Sequence, residues 1–286
     1  MTKAKQLREL LAGDELIVAP GVYDGVSAAL VSKLGFSAAY MTGAGVVASA
    51  YGLPDIGLAT LTEMAERARV ISGLLEIPVI ADADTGYGSP INVIRTVREY
   101  ERAGVAAIQL EDQTFPKRCG HLSGKEVVDV DTFARTLQAA VDARHDPDTV
   151  IVARTDARAP LGLDEAIDRA NRYAEIGADV IFVEAPRSEE EIERIASEVS
   201  APLLLNLVPG GLTPELDHRR LAELGYRIAI YPGAMVMAVV PAAIEALSTL
   251  RGRSLREEHV PGPEAFFDLF GLTAWQELGN NYDEEK

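Results

Sequence analysis

The sequence is poor in cysteine and in basic residues. One cysteine, Cys119, occurs among 286 residues, which excludes an intrachain disulfide framework. Lys and Arg total 27 against 44 Asp and Glu, giving a formal net charge of −17. Because cationic contacts to phosphate dominate affinity for nucleic acid, this balance argues against a nucleic-acid partner.

Long apolar runs are also scarce near the N-terminus. Charged residues at Arg8, Glu9 and Asp14 interrupt the chain before any stretch as long as a secretion signal. We expect no segment long enough to span a membrane, and therefore no membrane partner. These features favour a cytoplasmic protein.

The 48% hydrophobic content is enough for one large core. Four segments repeat one design, in which a predicted helix ends in glycine and an apolar run follows; the runs are 38–42, 107–111, 180–184 and 228–231. Four further runs read as buried strands: 16–20, 79–82, 150–154 and 203–206. Eight strands separated by helical stretches predict an α/β fold, a (β/α)8 TIM-type barrel forming a single domain over residues 1–286.

A C-terminal helical extension is predicted at residues 262–286. Pro261-Gly262-Pro263 breaks the chain, and four aromatic residues follow at helical spacing: Phe266, Phe267, Phe270 and Trp275. Two interpretations stay open. The extension packs on its own barrel, or it forms a subunit contact and is exchanged between protomers.

Helix starts can be placed from capping residues. Thr60 with Glu63 and Ser188 with Glu191 have the spacing of a capping box. Thr213 before Pro214 predicts a third helix that starts at residue 214.

Polar residues end nearly every predicted strand. Barrel enzymes carry their active sites at the C-terminal ends of the strands, so this arrangement indicates a functional site. The residues are Asp24, Thr42-Gly43, Asp82 with Asp84, Glu111 with Asp112, Arg154 with Asp156, Glu184, Asn206 and Tyr231-Pro232-Gly233.

Three of these carboxylates, Asp82, Asp84 and Glu111, suit a metal ion. Asp82 and Asp84 alternate along an extended segment, so both can face the barrel mouth. Oxygen ligands without histidine favour Mg²⁺, with Mn²⁺ as a possible substitute, and argue against zinc. The alternative is that the carboxylates cap the turn through Thr85 and its neighbouring glycines.

Two further strand ends suit an anionic ligand. Thr42-Gly43-Ala44-Gly45 reads as a loop of small residues whose backbone N–H groups could hold a carboxylate or phosphate. Arg154 could bind a carboxylate bidentately, or could instead form a salt bridge to Glu111 or Glu184.

Cys119 lies in Lys117-Arg118-Cys119-Gly120-His121, among three side chains that can be cationic. Nearby cations stabilise a thiolate, so this setting predicts a reactive thiol; the alternative is an ordinary free thiol in a basic turn. The connection from Asp112 to about Val130 is much longer than a usual strand-to-helix loop, and we expect it to act as a mobile lid.

Together these motifs resemble the isocitrate lyase and phosphoenolpyruvate mutase superfamily over about residues 15–245. The matching segments are Asp82 to Gly88, Glu111 to Gln113, Lys117 to His121 and Ala153 to Asp156. The resemblance implies a barrel with an exchanged C-terminal helix in a homotetramer, a bound Mg²⁺ and a 2-hydroxy di- or tricarboxylate substrate.

The resemblance also implies residue roles. Mg²⁺ would lie near Asp84, with Asp82 and Glu111 partly through water. Cys119 would be the general acid, tuned by Lys117, Arg118 and His121, and Arg154 would counter negative charge. The implied substrate-binding residues are Thr42, Gly43, Ala44, Asp55, Gly120, Arg154, Glu184 and Asn206. The base that removes the hydroxyl proton is not evident, and Tyr40 is one candidate.

Val208 refines the expected substrate. Members that cleave tricarboxylates carry a hydroxylated residue two positions after the strand-seven asparagine, where this chain has valine after Asn206. A carboxylate facing valine would lose about 2 kcal/mol. The sequence therefore favours 2,3-dimethylmalate or a related 2-alkylmalate over 2-methylisocitrate. Oxaloacetate cleavage, phosphonate mutation and a non-catalytic binding barrel are the remaining alternatives.

Overall fold

The computed structural model describes residues 1–120, 124–252 and 277. Eight parallel strands close into a barrel in chain order. They are β1 (Ile17–Val22), β2 (Ala39–Met41), β3 (Val79–Asp82), β4 (Ala107–Glu111), β5 (Val150–Thr155), β6 (Val180–Val183), β7 (Leu203–Asn206) and β8 (Tyr226–Tyr231). The predicted TIM-type barrel is confirmed.

Ten helices surround or extend this barrel within the described ranges. They are α1 (Lys3–Ala12), α2 (Gly25–Lys33), α3 (Gly43–Tyr51), α4 (Leu61–Leu74), α5 (Pro90–Arg102), α6 (Val130–Ala143), α7 (Leu163–Ile176), α8 (Glu189–Glu198), α9 (His218–Glu223) and α10 (Ala234–Gly252).

Glycines end the helices where the sequence predicts. Gly104 and Gly177 follow α5 and α7 with φ values of +84° and +111°, which residues with a side chain rarely adopt. The backbone turns there and enters the next strand.

The helix starts agree with two of the three capping predictions. Thr60 and Glu63 form the expected capping box at α4, and Ser188 accepts from the Glu191 N–H at α8. The predicted start at Thr213 and Pro214 is wrong. The helix α9 begins at His218, because Asp217 accepts from the Arg220 N–H and supplies the N-cap.

The core has two layers separated by the strands. Inside the barrel, alternate strand residues such as Ile80, Val152 and Phe182 pack together, and Leu7 of α1 belongs to the same cluster. Leu7 is fully buried, so α1 packs against the barrel interior. The other strand residues pack outward against the surrounding helices.

The helix α10 has an exposed apolar surface. Ile244, Leu247 and Met237 are 60%, 64% and 49% exposed. By length and composition alone, Ala234–Arg251 could cross a membrane, and it is the one such segment in the described chain. The expectation that no segment is long enough is therefore wrong. An apolar surface of this kind also suits contact with a second subunit.

The predicted C-terminal extension at 262–286 lies outside the described residues, except for Glu277, which is helical. The exchange of this segment between protomers stays a prediction.

Candidate active site

Six buried polar side chains meet at the C-terminal end of the barrel. Strand residues alternate between the two faces, and Tyr40, Ile80, Val152, Phe182 and Leu204 face the interior. Each of these residues is followed, two positions later, by another interior-facing residue at the end of its strand, and on β4 the same relation holds for the buried Gln109. The six residues at the strand ends are Thr42, Asp82, Glu111, Arg154, Glu184 and Asn206. The sequence prediction of a polar mouth is confirmed at these positions.

Arg154 joins the strands around it. Its Nε lies 3.4 Å from Glu111 Oε2, and its Nη2 lies 3.1 Å from Glu184 Oε2. Both salt bridges left open by the sequence are therefore present. Its guanidinium also lies 5.1 Å from the centre of the Phe182 ring. Burial alone would lower the pKa of Arg154, but the surrounding carboxylates raise the pKa well above its usual value.

Glu184 and Asn206 contact each other directly. Asn206 Nδ2 donates to Glu184 Oε2 over 3.2 Å. Ala185, the next residue, has a φ of +56°, an uncommon conformation for a residue with a side chain. Two predicted substrate-binding residues thus lie together beside Arg154.

The three predicted metal ligands form an electrostatically crowded group. Burial and the charge of Asp84 raise the pKa of Asp82 to about 6. Burial also raises the pKa of Glu111 well above its usual value. Glu111 Oε1 is buried and has no hydrogen-bond partner among the described residues. Buried carboxylates with incomplete partners favour a cation.

The loop that carries Asp84 has an unusual backbone. Asp84 and Tyr87 have φ values of +47° and +61°. Tyr100 on α5 donates to the Asp82 carbonyl over 2.9 Å, and Thr96 donates to the Gly86 carbonyl over 2.9 Å. These bonds from α5 hold the loop in place.

The cationic loop contacts the carboxylates through Lys117. Its buried ammonium lies 2.8 Å from Asp84 Oδ1 and also pairs with Asp55. Burial alone would lower the pKa of Lys117, but the neighbouring carboxylates, led by Asp84, raise the pKa well above its usual value. Lys117 is therefore a permanent cation among these groups.

Asp55 holds the same loop by its backbone. The Cys119 N–H donates to the Asp55 carbonyl over 3.1 Å, in addition to the pairing of Lys117 with the Asp55 carboxylate. Cys119 is partly exposed. The structure thus places Asp55, a predicted substrate-binding residue, against the cysteine loop.

Gly120 approaches the arginine closely. A β-carbon at this position would lie 2.5 Å from Glu184 Oε2 and would also collide with Arg154. A side chain would therefore push the loop away from the mouth. The glycine allows the residue after Cys119 to pack on the Arg154 and Glu184 pair.

Thr42 to Gly45 form the start of a helix, so the interpretation as a loop is wrong. Thr42 is the N-cap of α3 and accepts from the Gly45 N–H over 3.2 Å. The first N–H groups of a helix can still bind an anion. Gly43 is tightly packed, since a β-carbon there would lie 2.6 Å from Asp82 Oδ2.

Four residues that the sequence predicted at the barrel mouth or in the cysteine loop either have contacts other than those expected or lie outside the described residues. Asp24 caps α2 through the Ser27 N–H, and the Tyr231 hydroxyl pairs with His218 over 2.7 Å. Arg118 is exposed, and its backbone pairs with the Gln113 side chain. His121 lies outside the described residues.

Tyr40 is a poor candidate for the base. Its hydroxyl donates to Gln109 Oε1 over 3.0 Å. Burial and the charge of Asp82 raise the pKa of Tyr40 well above its usual value. The phenol therefore holds its proton at neutral pH.

Sequence reasoning missed Lys125, and it placed Asp112 at a strand end without giving it a role of its own. Lys125 and Asp112 are buried, and Asp112 accepts from the Thr155 hydroxyl over 2.7 Å and from the Asp156 N–H over 2.9 Å. Asp112 lies directly after β4, where the pattern of polar strand ends predicts it. Lys125 lies within a long connection, where no pattern indicates its direction.

The residues fit a metal ion that keeps much of its water. Within the described ranges, no three acidic, histidine or cysteine side chains converge closely enough to ligate one ion directly. Mg²⁺ commonly binds through one or two carboxylates and retains waters. The unpartnered Glu111 oxygen and the raised pKa of Asp82 are consistent with such a site.

The family assignment rests on nearly the whole barrel. The sequence profile described as phosphoenolpyruvate phosphomutase matches residues 7–251. The chain belongs to this family. It is similar to 2,3-dimethylmalate lyase of Eubacterium barkeri, with 47% identity over 99% of each chain. It is also similar to 2-methylisocitrate lyase of Aeropyrum pernix, with 44% identity over 98% of this chain and 88% of the relative.

Solved structures of the family share the fold throughout. Oxaloacetate acetylhydrolase in complex with 3,3-difluorooxalacetate aligns with a TM-score of 0.95 and 42% identity, over 99% of this chain and 98% of that chain. Phosphonopyruvate hydrolase in complex with oxalate and Mg²⁺ aligns with a TM-score of 0.89 and 32% identity, over 99% of this chain and 100% of that chain. The superfamily recognised from the motifs is confirmed, and one neighbour binds magnesium.

Proposed function

We propose that this protein is a Mg²⁺-dependent carbon–carbon lyase that cleaves 2,3-dimethylmalate, or a related 2-alkylmalate, to pyruvate and a second carboxylate. The observation that carries the proposal is the packing of Gly120 on the Arg154 and Glu184 pair. Through that contact the residue next to Cys119 borders a buried arginine. A proton donor and a group that binds carboxylate therefore adjoin one space.

The reaction breaks the bond between C2 and C3 of the substrate. The C2 hydroxyl loses its proton and becomes the carbonyl of the 2-oxo acid, which is pyruvate when C2 carries a methyl group, as in 2,3-dimethylmalate. The electron pair of the broken bond passes to C3, and the second fragment becomes an enolate-like carboxylate. Protonation at C3 completes that product, which is propionate when the substrate is 2,3-dimethylmalate.

Cys119 is the proposed acid for this last step. Its backbone is tied to Asp55, which also pairs with the buried Lys117. These bonds limit the movement of the thiol relative to the carboxylate group. Lys117 and Arg154 supply positive charge beside the fragment that becomes negative.

The α3 N-terminus is the proposed site for the carboxylate of the oxo acid. Thr42 uses its hydroxyl to cap the Gly45 N–H, so the Gly43 and Ala44 N–H groups are the proposed donors. Glu184 pairs with Arg154, and Asn206 pairs with Glu184, so both are proposed to border the other side of the substrate.

Mg²⁺ is the proposed cofactor, with Mn²⁺ as a substitute. Asp84 would hold the ion, with Asp82 and Glu111 acting partly through water. When bound, the ion supplies positive charge that stabilises developing negative charge on the oxygens of the oxo acid.

Val208 supports a substrate with a small apolar group. A β-carbon built at Gly233 would lie 3.8 Å from Val208 Cγ1 and 2.8 Å from Met237 Sδ, so Val208 and Met237 both border this glycine after β8. An additional carboxylate against this apolar pair would lose its hydrogen bonds. This favours a 2-alkylmalate over 2-methylisocitrate.

The subunits are proposed to associate as a homotetramer in the cytoplasm. The exposed apolar residues of α10 support association, and a single free cysteine suits a reducing compartment. Light scattering after gel filtration tests the assembly. Four copies per particle would support it, whereas a monomer free of detergent would contradict it.

The function is tested by release of 2-oxo acid from a substrate panel. The panel contains 2,3-dimethylmalate, 2-ethylmalate, 2-methylisocitrate, isocitrate and oxaloacetate, each with Mg²⁺ and with EDTA. Preference for an alkylmalate, abolished by EDTA, is expected. Preference for 2-methylisocitrate would keep the lyase reaction and overturn the Val208 argument.

Two further outcomes would contradict the proposed lyase function itself. Turnover of oxaloacetate alone would favour the chemistry named for the structural neighbour and would remove the general-acid role from Cys119. Thermal stabilisation by Mg²⁺ and substrate without any product would identify a binding protein.

A further inference from the structure

Lys125 has a buried ammonium group with two partners. Its side chain is 2% exposed. The Nζ donates to the Gly120 carbonyl over 2.5 Å and to Asp156 Oδ1 over 2.7 Å. One side chain thus connects the residue after Cys119 with the end of β5.

Asp156 connects Lys125 to the arginine of the site. Arg154 Nε lies 2.8 Å from Asp156 Oδ2, and Arg154 Nη2 lies 3.0 Å from Asp156 Oδ1. The Oδ1 atom therefore accepts from both Lys125 and Arg154. Burial alone would raise the pKa of Asp156, but the two cations lower it to about 2. Asp156 is thus a permanent anion between them.

The backbone of Asp156 is itself fixed. Its N–H donates to Asp112 Oδ1 over 2.9 Å, and Asp112 also accepts from Tyr173 over 3.0 Å and from Arg169 over 3.2 Å. Lys125 therefore attaches the loop to a rigid part of the barrel. A contact with a flexible surface group would not fix the position of a reacting group as precisely.

We propose that Lys125 is a positioning residue, which sets the place of Cys119 relative to Arg154 by bridging the Gly120 carbonyl and the Asp156 carboxylate. The proposal rests on the lyase function above. The ammonium of Lys125 bonds to the Gly120 carbonyl and to the Asp156 carboxylate, so Lys125 acts on the site through these two acceptors. Arg154 keeps its bidentate bond to Asp156 without it.

This arrangement predicts that loss of Lys125 lowers kcat and leaves KM nearly unchanged. Loss of Lys125 leaves Arg154 in place to bind substrate, so KM should change little. The proton donor becomes poorly placed, and a displacement of about 1 Å can cost roughly 100-fold in rate. We expect Lys125→Met to lower kcat by about 10- to 100-fold.

The sole cysteine gives a second measurement that does not depend on turnover. A thiol reagent such as DTNB reports on Cys119 alone in the folded protein. Once the Gly120 carbonyl is released, we expect the thiol of Lys125→Met to react at least about 10-fold faster. Lys125→Arg retains the charge and should stay closer to wild type in both measurements.

The matched control is Lys33→Met, which removes an exposed lysine from α2. It should leave kcat and thiol reactivity unchanged. If Lys125→Met does not fold, Lys125→Gln serves in its place, because it removes the charge and keeps a donor. Thermal unfolding of each variant separates loss of fold from loss of position.

Unchanged kcat and unchanged thiol reactivity in the folded variant would overturn the proposal. A lower melting temperature with both of these values unchanged would do the same, since it would show a purely structural role. If the wild type cleaves nothing in the panel, the proposed function fails, and the thiol measurement still decides whether Lys125 positions Cys119.

Discussion

Tyr100 donates its hydroxyl proton to the main-chain carbonyl of Asp82 over 2.9 Å. The bond comes from α5 and reaches Asp82, the last residue of β3, directly before the loop that carries Asp84. Tyr87, within that loop, pairs with the same hydroxyl over 3.0 Å. The backbone that presents Asp84 is therefore held from a neighbouring helix.

Tyr100→Phe should weaken metal binding. Removal of the hydroxyl loosens the loop, and loss of such a supporting group commonly costs about 10-fold in metal affinity. The free energy of unfolding should fall by about 1 to 2 kcal/mol. Mn²⁺ titration followed by electron paramagnetic resonance measures the affinity.

Tyr226→Phe is the matched control for this change. Tyr226 is equally buried and donates to the Ile192 carbonyl over 3.2 Å, between β8 and α8. It should lose similar stability and keep its affinity for Mn²⁺. Equal affinities in the two variants would show that Tyr100 has no special effect on the metal loop.

Asp82→Asn should stabilise the metal-free protein, and more so as the pH rises. The pKa of Asp82 is raised to about 6, so its favourable contribution is present below about pH 4 and is lost as the pH rises through 6. The ionised group then costs at most about 3 kcal/mol. Asparagine removes this charge while its carbonyl can still accept from the Asp84 N–H.

Urea unfolding in EDTA between pH 5 and pH 8 measures this effect. The gain in the free energy of unfolding should increase up to about pH 7 and then stay level. A gain that is the same at every pH would mean that Asp82 ionises normally in the folded protein.

Cys119→Ser should bind ligands and fail in turnover. A serine hydroxyl is a far weaker acid, and a general acid contributes about 10²- to 10⁴-fold in rate. Binding of Mn²⁺ and of oxalate should persist, which calorimetry can measure. Full turnover of 2,3-dimethylmalate by this variant would exclude Cys119 as the acid.

Val208→Thr should shift preference towards 2-methylisocitrate. The added hydroxyl can satisfy a carboxylate that valine leaves unpaired, and about 2 kcal/mol corresponds to roughly a 30-fold change in the ratio of kcat/KM values. Val26→Thr on α2, an exposed position, is the control. An unchanged ratio would show that another residue determines the substrate.

The sequence predicted the barrel and most of the mouth because both follow from local patterns. Glycines such as Gly177 mark the end of a helix, and the alternation along β5 directs Arg154 inward whatever its neighbours are. The positions of Asp82 and Glu111 follow by the same rule.

The remaining features depend on contacts distant in the chain. Lys125 and Asp156 are 31 residues apart, and the long connection gives no period from which to infer their contact. The start of α9 was misplaced because Thr213-Pro214 and Asp217 are competing start signals, and the N-cap bond decided between them. Thr42 to Gly45 begin a helix because Thr42 caps them, despite their small side chains.

The first helix, α1, restricts how substrate and products can enter and leave the barrel. Because Leu7 of α1 packs into the cluster of side chains inside the barrel, α1 closes one end of the barrel. The substrate and both proposed products must therefore enter and leave at the other end of the barrel, where Thr42, Asp82 and Arg154 lie.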